Sequence, residues 1–412
     1  MTPLEREANW ALINALKVGL IAEEDTAVIV QSWNQLEVYL THLKSVFPPN
    51  SLHAIAVKTN PQPKVLEKIV AFGFGLEAAS IEEVQLAVDA GAPYTNIVFD
   101  SPVKTQQEIN FCHTHFPGII LNVNSLEELD RIPQNPSFTV GIRINPMVET
   151  GAPDIYHVSS DESKFGVPIV EREKILEAIV DYPVTQLHVH AGSHMSSLDA
   201  SIEAINILVE LAAEANELLG LKNVKRRITT LDIGGGLPPE QFNNAEPSRM
   251  QEYASGIITA CPKIVDFKII TEFGQWCYFY TGYAFSRVEY ALKRGNKDLI
   301  FIHLGADYLM RDAYVKPRGI SFITYNSIGE IKTDAMAIVD IAGPLCFAGD
   351  YVAKDQALRL PSAGDWLGLI NTGSNSIGLW SRHCSRTIPK VIGVDKENET
   401  LTVLSDRFSA FT

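Results

Sequence analysis

IAVKTNPQPKVLEKIVAFG, residues 55–73, decides the fold: an apolar β-rich run ends on the charge of Lys58, crosses a proline-marked turn and enters a helix-length segment. The same unit recurs on either side. Short β-rich runs at 53–58, 75–79, 96–99, 119–123, 138–144, 185–190, 228–233 and 267–272 alternate with helix-length segments. Two of these segments carry their own boundary signals. Residues 80–91 run from a Ser80 cap to a Gly91 stop, and Ser125 with Glu128 opens a capping box. Eight strands alternating with helices predict an α/β fold, a (β/α)8 TIM-like barrel. A doubly wound open sheet has the same rhythm, and periodicity alone does not separate the two.

After Trp276 the rhythm changes to strands without helices, at 298–305, 335–343, 365–373, 389–394 and 400–405. The predicted organisation is an N-terminal helix and strand over 1–35 that join the β domain, a barrel over 36–275 and a C-terminal all-β domain over 276–412. With 412 residues, 46% hydrophobic and 20% charged, the chain can bury one large core and a smaller one. A formal net charge of −15 argues against nucleic acid or an anionic membrane as partner, because a phosphate backbone needs a basic face. A small molecule is expected instead. The five cysteines (Cys112, Cys261, Cys277, Cys346, Cys384) are odd in number and widely spaced, so neither a disulfide framework nor a thiolate zinc site is indicated. The expected compartment is the reducing cytoplasm. Residues 1–20 carry two glutamates and an arginine where a signal peptide has a basic segment and an apolar core, and they read as an amphipathic helix. No stretch is long and apolar enough to span a bilayer.

The unusual polar residues converge on one end of the predicted barrel. Lys58 ends the first strand, Arg143 lies near the end of the fifth, His190 ends the sixth, Gly234, Gly235 and Gly236 follow the seventh, and Glu272 ends the eighth. Barrel active sites are built at these carboxyl ends. Singly, each residue has an ordinary reading: a solvated lysine, a flexible LDIGGGLP turn, a satisfied core histidine. Together they allow sharper ones. The glycines can form a cradle of backbone N–H groups for a phosphate. In HVHAGSH (188–194), strand alternation puts His188 and His190 on one face. Two such histidines can hold a metal, as in metal-dependent hydrolase barrels, or one can lie flat on a planar cofactor while Ser193 reaches its phosphate. An inward Glu272 needs a partner, and a protonated ring nitrogen serves. An amine, a phosphate cradle, a flat side chain and a carboxylate are the tools that pyridoxal 5′-phosphate requires, with Lys58 as its covalent anchor.

The chain also resembles the alanine-racemase-like barrel decarboxylases of pyridoxal phosphate, which include diaminopimelate, ornithine/arginine and carboxynorspermidine decarboxylases. The likeness runs in order through AVKTNP with Lys58, LEAASIEEV with Glu77 and Glu83, IVFDSPVK, LNVNSLEEL, IRINP with Arg143, SKFGV, HVHAGS with His190 and Ser193, LDIGGG, TEFG with Glu272, and GPLCFAGD with Cys346 and Asp350. It implies a carboxy-lyase with Lys58, Cys346, His190 and Glu272 as catalytic residues. It implies cofactor contacts from Lys58, Arg143, His190, Ser193, Gly235, Gly236, Glu272, Gly274, Gln275 and Asn375, and no metal. It also implies a head-to-tail homodimer with shared active sites, in which Cys346 reaches the partner's cofactor and protonates the carbon left by carbon dioxide. A carboxylate at the ring nitrogen favours decarboxylation over racemisation. The alternative for Cys346 is a small buried hydrophobe.

Three positions depart from the family pattern. Phe347 follows Cys346 where the lysine, ornithine and diaminopimelate enzymes carry an acid. Gln275 and Phe273 replace the arginine and proline of Glu-Pro-Gly-Arg, and Gly373, Ser374 and Asn375 replace Gly-Ala-Tyr. The predicted substrate is therefore a conjugated or otherwise non-standard amino acid, of siderophore or specialised metabolism, contacted by Phe347, Asp350, Arg382 and His383. Arg382, His383 and Arg386 form a basic cluster for a carboxylate-rich tail or, equally, a solvated turn. The alternatives are a diaminopimelate or other diamino-acid decarboxylase, a non-catalytic relative that binds a partner, and a metal-dependent hydrolase built on His188 and His190.

Overall fold

All eight β-rich runs between residues 53 and 272 form strands in the computed structural model, which describes every residue except 150, 152–157, 242–246, 316 and 410–412. They are β1 (Leu52–Ala56), β2 (Gly75–Ala78), β3 (Ile97–Phe99), β4 (Ile120–Val123), β5 (Thr139–Asn145), β6 (Val184–Val189), β7 (Thr230–Asp232) and β8 (Lys268–Thr271). Among the described residues these eight are all parallel, in the order β4-β3-β2-β1-β8-β7-β6-β5, and β4 pairs with β5 to close the ring. Closure distinguishes a barrel from the open-sheet alternative. The barrel unit comprises Leu40–Trp276, and Met1–Tyr39 with Cys277–Thr412 make a second unit.

Register decides which side chains meet inside. Paired residues on parallel strands point to the same face. The pairs Ala56–Glu77, Glu77–Val98, Val98–Ile120, Asn122–Gly141, Arg143–His188, His188–Asp232, Asp232–Ile270 and Ile270–Leu52 carry one face around the whole ring. That face is the interior. One of its layers is apolar, with Leu52, Ala54, Val98, Ile120 and Ile270 in a single cluster. The other holds Glu77, Asp100, Arg143, His188, Asp232 and Glu272, none more than 8% exposed. Residues of the opposite parity, such as Ile55, Leu76, Leu121, Ile142 and Leu187, are fully buried on the outer face. Each such side chain contributes roughly 1.5–3 kcal/mol, so the apolar outer face supports strands whose inner face carries charge.

In the second unit the strand Ala27–Ser32 pairs antiparallel with Gly282–Arg294 and parallel with Lys390–Asp395. All six of its residues are buried. Val28 and Val30 pack with Leu4, Ala8, Leu12 and Ala15 of the helix Pro3–Lys17, while Ala27 and Ile29 pack with Ile300, Ile341 and Leu369. Burial on both faces explains the unbroken apolar run AVIV. The sheet also contains Gly282–Arg294, Ser321–Tyr325 and Tyr351–Arg359, none of which was expected from the sequence. No helix among the described residues is long and apolar enough to cross a membrane.

One carboxyl group is buried in this second core. Glu7 accepts hydrogen bonds from Ser32 Oγ (2.7 Å) and Tyr283 OH (3.2 Å), and burial pushes its carboxyl up to about 7. A folded value above the ordinary 4.5 favours folding below pH 4.5, and that contribution is lost as the pH rises through 7. The loss is at most about 3 kcal/mol. Glu7→Gln keeps an acceptor for Ser32 and removes the charge. It is expected to raise the calorimetric midpoint by several degrees at pH 8 and to leave it unchanged at pH 4; equal midpoints at pH 8 contradict this account.

Candidate active site

Lys58 lies one turn beyond its strand. β1 stops at Ala56, and Lys58 sits in a single 3-10 turn, Val57–Thr59. Thr59 Oγ1 donates to the Ala56 carbonyl at 2.6 Å and the Asn60 N–H to the Val57 carbonyl at 3.1 Å. Gln62 then caps the helix Pro63–Ala71 by accepting the Lys64 N–H. Pro61 and Pro63 have no N–H with which to extend either ladder. Gly274 gives the turn its room, since a Cβ there would stand 2.5 Å from Thr59 Oγ1 and 3.0 Å from Ala56 Cβ. Gly274, expected as a cofactor contact, packs against Ala56 and Thr59 on either side of the Lys58 turn.

The Lys58 amine donates to both oxygens of Glu77, at 2.9 and 2.7 Å. Its side chain is 52% exposed whereas that of Glu77 is 1% exposed, so a solvent-accessible amine is tethered to a buried carboxylate in the wall. Burial opposes the charge on Lys58, but Glu77 and then Glu272 outweigh it and hold the amine above the ordinary lysine range.

Beyond this pair lies a network that spans the barrel. Arg143 Nη1 donates to Asp100 at 2.8 Å, with its guanidinium over the ring of Phe165 at 4.5 Å. His188 stands between Asp100 and Asp232, each 3.4 Å from one of its nitrogens. Burial raises the Asp100 carboxyl, but Arg143 and His188 outweigh that and keep it well below the ordinary range. His190 follows β6 directly and its Nδ1 accepts the Gly235 N–H at 3.2 Å. Burial, then Arg143, Lys58 and His188, hold its ring well below the usual histidine value. His190 is therefore neutral, with its proton on Nε2. His188 faces two aspartates and His190 a backbone N–H, so the two histidines do not act as a ligand pair, which corrects the hydrolase alternative.

The glycine run is neither loose nor a free donor set. A Cβ on Gly235 would meet the Glu272 carbonyl at 2.7 Å, and one on Gly236, where φ is +106°, would meet the Gly192 carbonyl at 2.0 Å. Three backbones pass each other here, and only glycine fits. The Gly235 N–H, expected at a phosphate, donates to His190 instead. Ser193 is half-buried in the loop that contains Gly192, and His194 of the same loop approaches Gln275 Nε2 at 2.8 Å through Nε2. The Gln275–His194 pair thus occupies the position where the family pattern has arginine. Glu272 Oε1 is buried with no hydrogen-bond partner among the described residues. Burial and Asp232 raise its carboxyl well above the ordinary range, while His188 opposes them.

The remaining candidates belong to the second unit, where they form their own group. Cys346 is exposed, which corrects the buried-hydrophobe alternative, and its N–H donates to Cys384 Sγ at 3.3 Å. Phe347 stacks on Tyr314, with centroids 5.5 Å apart and planes at 9°, and meets His383 edge-on at 5.9 Å. Asp350 is 4% exposed and accepts the N–H groups of Ala306 (2.7 Å) and Leu345 (2.5 Å). Its carboxylate braces the 343–350 loop from within. Asn375 is buried in a left-handed conformation, φ +52°. Arg386 is bound to Asp307 and the His303 carbonyl, leaving Arg382 and His383 as the exposed members of the basic cluster.

Residues 34–278 match the family of pyridoxal-dependent decarboxylases over its pyridoxal-binding domain, and the chain belongs to that family. It is 26% identical over 392 residues to diaminopimelate decarboxylase of Aquifex aeolicus, covering 93% of this chain and 89% of that one. To diaminopimelate decarboxylase of Helicobacter pylori it is 28% identical over 385 residues, covering 90% of each. The crystal structure of the Helicobacter pylori enzyme complexed with L-lysine shares the fold with a TM-score of 0.82 at 23% identity, over 95% of this chain and 96% of that one. The arginine decarboxylase of Paramecium bursaria Chlorella virus does so with 0.76 at 20% identity, over 91% and 96%. The cofactor is pyridoxal phosphate, and the residues present fit it: an accessible amine at Lys58, a neutral ring at His190 and an unpartnered buried carboxylate oxygen at Glu272.

Glu77→Gln removes the nearer carboxylate from Lys58 and leaves its burial in place. In cofactor-free protein at pH 8, acetylation of Lys58 by an N-hydroxysuccinimide ester, followed by mass spectrometry, is expected to accelerate about tenfold for each unit by which the amine falls. An unchanged rate contradicts the role given to Glu77.

Proposed function

We propose that this amino-acid decarboxylase removes the α-carboxylate of a conjugated or otherwise non-standard amino acid, as in siderophore or other specialised metabolism, to give an amine. The observation that carries the substrate reading is Phe347, stacked on Tyr314 and edge-on to His383 in the residue position after Cys346. A carboxylate would give a substrate ammonium a charge-assisted hydrogen bond of roughly 1.5–3 kcal/mol. An aromatic ring offers an ammonium about 0.5–1 kcal/mol, and that of Phe347 is half-buried against Tyr314. A neutral or carboxylate-bearing tail loses nothing by the exchange, and the exposed Arg382 and His383 suit it.

When bound, pyridoxal phosphate supplies the electron sink for the bond to the departing carboxylate. Lys58 would hold it covalently, His190 would face its ring, and Glu272 would retain the proton on its ring nitrogen. Ser193, Gly236 and the Gln275–His194 pair would meet its phosphate, with Gly235 holding the His190 ring. Cys346 of a second copy, in a head-to-tail homodimer, would give the proton to the substrate carbon. Its exposure in the single chain supports such a reach.

Diaminopimelate is the second reading, and the diaminopimelate decarboxylases at 26–28% identity favour it. A carbon dioxide release assay separates the two. Ornithine or lysine acylated on its side-chain amine with a carboxylate-bearing acyl group is expected to exceed free ornithine, lysine and diaminopimelate in kcat/KM by tenfold or more, about 1.4 kcal/mol. A tenfold preference for any of the free diamino acids overturns the substrate reading and leaves the decarboxylase intact.

A further inference from the structure

Four carboxylates, Glu77, Asp100, Asp232 and Glu272, line the inner wall of the barrel at 8% exposure or less. Two permanent cations answer two of them, Lys58 at Glu77 and Arg143 at Asp100. Asp232 and Glu272 have neither. Between them and Asp100 stands His188, fully buried, with Nε2 3.4 Å from Asp100 Oδ2 and Nδ1 3.4 Å from Asp232 Oδ1. One ligand atom each of His188, Asp232 and Glu272 lies within 4.8 Å of the other two. A neutral imidazole always turns a lone pair outward from one of its nitrogens. Neither ring nitrogen of His188 has a hydrogen-bond partner among the described residues, so the two aspartates are answered by charge: a neutral ring leaves a lone pair near one of them, whereas an imidazolium sets a positive charge between both.

We propose that His188 is a fixed imidazolium, a positioning residue that sets a positive charge between Asp100 and Asp232 beside Glu272, and so lets Glu272 ionise against a protonated pyridine nitrogen. The second half of this inference rests on pyridoxal phosphate as cofactor; the charge on His188 does not. Burial opposes that charge, and Arg143, register-paired with His188 on β5, faces it as a like charge, as His190 would if protonated. Asp232, Asp100 and Glu272 outweigh them and hold the ring well above the ordinary histidine value. Glu77 adds a further negative charge nearby. With His188 neutral, a Glu272 carboxylate would stand beside Asp232 with no cation of the cluster facing the pair; with it charged, an imidazolium lies within 4.8 Å of both.

The full chain labelled with 15N-histidine provides the first test. Of its ten histidine rings, one is expected to keep both nitrogens protonated at pH 9, and this signal is absent from His188→Gln or, if that variant does not fold, from His188→Asn. If all ten are neutral at pH 9 in the unaltered protein, the proposal is overturned. It is equally overturned if the purified protein holds a stoichiometric divalent cation that either variant abolishes. The second test is equilibrium binding to cofactor-free protein at pH 8. His188→Gln is expected to weaken pyridoxal phosphate at least tenfold, yet to change binding of its deaza analogue, with carbon in place of the ring nitrogen, less than twofold. Equal weakening of both ligands, or of neither, means that His188 does not act through the ring nitrogen. Failure of the unaltered protein to bind pyridoxal phosphate at all would sink the cofactor reading and leave the nuclear magnetic resonance result standing.

Discussion

Ionised side chains inside a barrel have to neutralise one another, because each is separated from water and each unpaired charge is destabilising by several kcal/mol. In this protein that requirement organises the carboxyl ends of six of the eight barrel strands. Register places Glu77, Asp100, Arg143, His188, Asp232 and Glu272 on one face, and pairing then links strands that are not neighbours: β5 to β3 through Arg143–Asp100, and β6 to β3 through His188–Asp100. The charges tie the ring across its middle. Lys58 is the exception, tethered at Glu77 but half in solvent, and so the group free to react.

The architecture was readable because each barrel strand buries both faces and thus appears as a short apolar run bounded by turn signals. All eight were found. Their ends were less exact, since Lys58 lies two residues and His190 one residue past its strand, where side-chain hydrogen bonds such as Thr59 to Ala56 replace the ladder. Gly282–Arg294 and Tyr351–Arg359 went unseen for the opposite reason. Their exposed positions carry lysine and arginine with glutamate or aspartate, and nothing local marks them as strands.

The site was legible in its reactive residues and not in their supports. Lys58, His190 and Glu272 stand out at strand ends, whereas Asp100 and Asp232 look like ordinary strand-end aspartates until register brings them to His188. One signal was available: these residues fall on the inward parity of their strands, two positions from other inward residues such as Val98. The role of Asp350 was not available. A carboxylate in a glycine-rich loop reads as a ligand for substrate, and only the buried N–H groups of Ala306 and Leu345 show what it serves.

Reduction of the pyridoxal-phosphate-loaded protein with borohydride, followed by proteolysis and peptide mapping, tests the central claim most directly. The account predicts one phosphopyridoxyl group per chain, on Lys58. A group on any other lysine, or none on Lys58 after full loading, would contradict it.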